Sequence, residues 1–124
     1  FDFTQTFARW MSRLEYKEVY FEEPENLAIP LESEFPHFAA TELRKVLTGE
    51  DVDSDTVVAV YGVASLYGFT KVSAVLKEVV RDIRGRLVVF FPGEFENGNY
   101  RLLGTRDGWN YLAIPITLHN GMSD

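Results

Sequence analysis

The residues best placed to do chemistry lie in the run Gly62-Val-Ala-Ser-Leu-Tyr-Gly68, followed by Phe69, Thr70 and Lys71. A glycine-bearing turn from strand to helix can aim backbone N–H groups and the helix dipole at a phosphate. Gly62, Ser65, Gly68, Thr70 and Lys71 are therefore candidate anion-binding residues. The spacing departs from a P-loop, which has four residues between its glycines and Lys-Ser/Thr directly after the second. Here five intervene, Phe69 follows Gly68, and threonine precedes lysine. The competing reading is a turn whose glycines supply unusual dihedrals.

A second set is basic. Lys77, Arg81 and Arg84 are spaced i, i+4 and i+7, a stripe that could meet a phosphate backbone or an acidic partner. Glu78 and Asp82 are interleaved with them, as on an ordinary charged helix face. Arg101 and Arg106 form a smaller cluster with the same two readings. The carboxylates Glu22, Glu23, Glu25, Glu32 and Glu34 crowd a proline-punctuated stretch, a pattern of solvated faces more than of tuned acid/base pairs. Nucleophilic catalysis needs a histidine able to shuttle protons. The two present, His37 and His119, have no serine partner at a supporting spacing. With two histidines and no cysteine, a transition-metal site is not expected. The expectation is a protein without catalytic residues, metal or cofactor.

These residues need elements to hold them. Asp2 is positioned to cap a helix carrying Phe3, Phe7, Trp10, Met11 and Leu14 at helical spacing. Glu18–Phe21 suggests a short strand, and Pro24 and Pro30 bracket an irregular loop over 25–29. Pro36 suits the first turn of a second helix, which Thr48-Gly49 closes, with Phe38, Leu43, Val46 and Leu47 inward. Thr56–Tyr61 and Leu87–Phe91 are β-branched and apolar, as buried strands are. Between them Val72, Val75, Leu76, Val79, Val80 and Ile83 predict a helix over 70–83. Asn97-Gly98 and Asp107-Gly108 are hairpin turn pairs, and Pro115 marks Trp109–Ile116 as an edge strand. The expected fold is α/β. It has a mixed sheet with a parallel β-α-β core and C-terminal antiparallel hairpins, and helices packed on the sheet.

The 124 residues suffice for one domain. Its expected parts are an acidic portion over 1–55, a core over 56–117 and a tail over 118–124. The net charge of −7 is unevenly spread. Residues 1–55 carry 13 acids against 5 bases, and 56–124 carry 6 against 7. The chain as a whole lacks the basic footprint of an autonomous nucleic-acid binder, so contact with nucleic acid is expected only indirectly, if at all. No apolar run approaches the ~20 residues of a membrane span. The absence of cysteine fits a cytoplasmic protein.

The run Leu87-Val-Val-Phe-Phe-Pro-Gly-Glu-Phe-Glu-Asn-Gly-Asn-Tyr-Arg-Leu-Leu103 resembles the C-terminal core of the BrxB family, small proteins of the BREX bacteriophage-exclusion systems. The shared order is an apolar strand, then Pro-Gly-Glu-aromatic, then a hairpin with Arg-Leu, then an aromatic-rich strand. Pro92, Gly93, Glu94 and Arg101 carry the motif here. A strand–glycine loop–helix resembling Val57–Val80 precedes it, with Gly62 in the matching place. The resemblance covers roughly residues 56–117, and the first 55 residues do not share it. It implies a non-catalytic subunit of a phage-defence assembly whose partners are other defence proteins. Two further readings stay open: a degenerate nucleotide- or phosphate-binding domain using Gly62–Lys71, and a nucleic-acid accessory factor.

Overall fold

A computed structural model describes residues 1–14, 22–92, 94–96, 99–102, 105–106, 114 and 116. The expected strand Glu18–Phe21, the turn pairs Asn97-Gly98 and Asp107-Gly108, all but two residues of Trp109–Ile116, and the tail lie outside them. The described helices are α1 (Thr6–Arg13), α2 (Ala28–Ser33), α3 (Phe35–Leu47) and α4 (Val72–Val79). The strands are β1 (Val57–Val60), β2 (Arg86–Val89), β3 (Glu94–Glu96), β4 (Asn99–Leu102) and β5 (Thr105–Arg106). Helix and strand are thus mixed in one α/β chain.

β1 and β2 pair in parallel, Val57 opposite Arg86 through Val60 opposite Val89. Residues 1–3 add an extended segment on the other edge of β1. The Phe3 amide donates to the Tyr61 carbonyl and the Tyr61 amide to the Phe1 carbonyl, both at 3.0 Å. This displaces the expected role of Asp2. Its carboxylate accepts from the Thr4 amide and hydroxyl, and α1 starts only at Thr6. An Asx turn and a helix cap use the same side-chain chemistry, so the residue type alone does not choose between them.

The inner face of β1 sends Val58 and Val60 into the core, and Leu87 and Val89 of β2 pack against it. The helices supply the rest. α3 packs against α1, α2 and α4. It buries Phe35, Ala39, Ala40, Leu43 and Leu47, leaves Phe38 half-buried and turns Val46 outward. α1 buries Trp10 and Met11, and α4 buries Val72, Val75, Leu76 and Val79. Phe7 joins the two helical regions. It stacks on Phe69 with ring centroids 3.9 Å apart and meets Phe35 edge-on at 5.5 Å.

The structure corrects several expectations. Residues 25–29 are not irregular: a 3-10 turn over Pro24–Leu27 runs into α2. Pro30 is the third residue of α2, where its missing N–H has no intrahelical acceptor. The helix expected over 70–83 ends at Val79 and tightens into a 3-10 turn, Val80–Asp82. The described strands form two sheets, β1-β2 and β3-β4-β5, rather than one mixed sheet. Pro92, with no N–H to donate, follows β2. A reversal of the antiparallel ribbon that the sequence did not signal falls between Leu102 and Thr105, which are register partners.

One core atom is out of place. The Thr6 hydroxyl is fully buried and meets no hydrogen-bond partner among the described residues. A buried unpaired hydroxyl costs about 1–3 kcal/mol, and valine has nearly its shape. Thr6→Val is expected to stabilise the protein by about 1 kcal/mol, a rise of a few degrees in Tm. Thermal unfolding followed by circular dichroism measures it, and a lowered Tm would show that the hydroxyl is satisfied.

Candidate functional site

The loop from Gly62 to Lys71 lies after β1, where ligands dock in open α/β sheets. Gly62 has φ +74° and Gly68 has φ +84°, so both glycines adopt the left-handed conformation that the sequence suggested. Four backbone donors of the loop are spent on the loop itself. The Ser65, Tyr67, Phe69 and Thr70 amides donate to the carbonyls of Gly62, Ala64, Leu66 and Leu66. The Ser65 hydroxyl lies 2.6 Å from the Gly62 carbonyl and 3.0 Å from that of Phe3, and so ties the loop to the first residues. Thr70 is half-buried, and Lys71 is exposed at the N-cap of α4.

Gly62 serves close packing. A Cβ built there would come 2.3 Å from Asp2 Oδ1 and 2.7 Å from Thr4 Oγ1. The turn at residues 2–4 therefore nests against the loop, and it brings a carboxylate to the place where a bound anion would need positive potential. The Thr4 hydroxyl, then the Thr4 amide, hold the Asp2 carboxyl below its ordinary value. Of the five loop residues, Gly62 and Ser65 are brought together with the N-terminal turn, and Gly68 faces open space.

The three basic residues lie on different elements. Lys77 belongs to α4, Arg81 to the 3-10 turn, and Arg84 follows both. Arg84 Nη1 donates to the Gly49 and Val52 carbonyls at 3.1 and 3.0 Å, which closes the turn after α3. Arg44, which the sequence reading passed over, clamps α3 to α4. Its Nε lies 2.8 Å from Asp82 Oδ2, and Nη2 lies 2.9 Å from the Glu78 carbonyl. Its place four residues after a buried position on α3 was the available signal.

In the family motif, Pro92 is exposed and Gly93 lies outside the described residues. Glu94 stands directly opposite Arg101 in the β3–β4 register, and Arg101 is also opposite Arg106. His37 Nδ1 is 3.3 Å from Glu78 Oε1 on an exposed helix surface. Among the described residues, no three histidines or carboxylates gather as a metal site. No helix there is long and apolar enough to cross a membrane.

Five carboxylates, Glu22, Glu23, Glu25, Glu32 and Glu34, are exposed around the 3-10 turn and α2. The four ion pairs seen among the described residues involve other acids. Comparison with protein-family models, curated proteins and solved structures finds no match to this chain.

Gly62→Ala is expected to lower stability by about 2 kcal/mol from the left-handed backbone alone, with steric conflict adding to it. In an Asp2→Ala background the loss should be smaller, because one conflicting oxygen is gone. Denaturant titration of the four proteins measures this, and strict additivity would refute the contact. The depressed Asp2 carboxyl also sets a sign for pH. Its contribution is present above the unfolded carboxylate pKa of about 3.9 and is lost as pH falls through the lower folded value. The stability gap between wild type and Asp2→Ala should therefore close on acidification.

Proposed function

We propose that this chain is a non-catalytic, protein-binding component of a BREX-type bacteriophage defence system, working in the cytoplasm within a larger assembly. The resemblance over residues 56–117 suggests the system. The exposed carboxylates on the segment from Glu22 to Glu34 support a binding role, with a basic protein surface as the complement. The finer architecture belongs to the same proposal. It takes β1, α4 and β2 as a β-α-β centre.

A phosphate-binding role for Gly62–Lys71 is the weaker reading, because the loop amides bond within the loop and Asp2 lies against Gly62. A nucleic-acid role is weakened likewise by the engagement of Arg84 with two carbonyls.

Affinity capture of the tagged protein from cells expressing the complete defence cluster tests the proposal. Other proteins of that cluster should co-purify. Replacing Glu25, Glu32 and Glu34 together by lysine should weaken capture roughly tenfold, at about 0.5 kcal/mol per exposed charge. Recovery of the protein alone would overturn the reading.

A further inference from the structure

Among the described residues, the parallel sheet is covered by helices on one side only. Parallel strands normally have both faces buried. Here Val57, Tyr61, Val88 and Phe90 are 60, 52, 41 and 62% exposed on the face away from the helices. Ala59, opposite Val88 in the register, lies between them and is also exposed.

The charges at the corners of this face are self-complementary. Asp2 pairs with Tyr61 at the C-terminal end of β1, on the edge away from β2, and is exposed while Phe3 beside it is buried. Arg86 pairs with Val57 at the opposite end, on β2, and is exposed. An acid and a base thus occupy diagonal corners of an apolar patch. Thr4 engages Asp2 through Oδ1, and Arg86 forms no ion pair among the described residues. A two-fold axis lying in the plane of the face exchanges the two corners. It sets Arg86 of each copy against Asp2 of the other and the apolar centres against each other. With strands about 4.8 Å apart and rising about 3.3 Å per residue, the two sheets would then cross at roughly right angles, one of the two preferred ways that sheets pack.

We propose that this face is the interface of a symmetric homodimer. The patch spans three short strands, well below the roughly 800 Å² per partner of a standard interface. The dimer is accordingly weak and depends on concentration. The proposal is independent of the defence reading and uses a different surface.

Sedimentation velocity of the full chain over a wide concentration range tests it. The wild type should pass from monomer to dimer as concentration rises. Phe90→Asp should remain monomeric with an unchanged circular dichroism spectrum; should that variant fail to fold, Val88→Asp carries the same test. Arg86→Glu, which sets acid against Asp2 of the second copy, should weaken the dimer about fivefold. A wild type that stays monomeric throughout, or a dimer indifferent to Phe90→Asp, overturns the proposal. So does a monomeric wild type that needs Phe90 to capture another protein of the defence cluster. That outcome would give the face to a different partner and leave the functional reading standing.

Discussion

The close approach of neighbouring segments to a glycine at each end of β1 is the constraint on which this fold rests. At its start, a Cβ on Gly85 would come 2.0 Å from the Thr56 carbonyl oxygen, and the Arg86 amide donates to that same oxygen at 2.9 Å. At its end, Gly62 leaves space for the turn at residues 2–4. The first contact starts the pairing of β2, and the second holds residues 1–3 along the opposite edge. A side chain at either glycine would push the neighbouring segment away from β1 and weaken its pairing. The inner face presented to the helices follows from that alignment.

Local pattern made much of this legible. The β-branched and apolar runs at 56–61 and 87–91 and the proline at the head of α3 mark their elements because their causes are steric and local. The contacts that decide the loop are not local. Positive φ at Gly62 could be anticipated from its type, but its partner at residues 2–4 lies some sixty positions away. No spacing rule connects the two. Phe3 shows the same limit. It fits the helical periodicity of Phe7, Trp10 and Met11, yet it is buried from an extended segment because pairing with Tyr61 competes for its backbone. Arg84 continued a helical stripe on paper, but the helix tightens before reaching it, and the Gly49 and Val52 carbonyls after α3 accept from its guanidinium. Apolar strands suggest burial on both faces; that the described helices cover one face of β1-β2 depends on where they pack.

Charge follows a related division of labour. Arg13, Arg44 and Arg84 are each committed to a neighbouring element: Arg13 to Glu42 and the Phe38 ring, Arg44 to Asp82 and the Glu78 carbonyl, Arg84 to the turn after α3. Of these only Arg44 is partly buried, where packing of the stem combines with charge-assisted hydrogen bonds. The glutamates near α2 instead face solvent. Three arginines thus hold elements together, while the glutamates between Glu22 and Glu34 are displayed.

That display and the open sheet face act on association in opposite directions. A net charge of −7 repels a second copy at long range, and salt screens that repulsion over about 10 Å at 0.1 M. Covering exposed valine, tyrosine and phenylalanine gains roughly 25 cal/mol per Å² of apolar area, a contact term that added salt leaves in place. The corner pair of Asp2 and Arg86 is attractive only at short range and weakens with salt as any exposed pair does. Moderate salt therefore removes the opposing long-range charge sooner than it removes the apolar contact. An acidic surface can in this way coexist with a self-complementary face: the first sets how often like copies meet, and the second sets whether they stay.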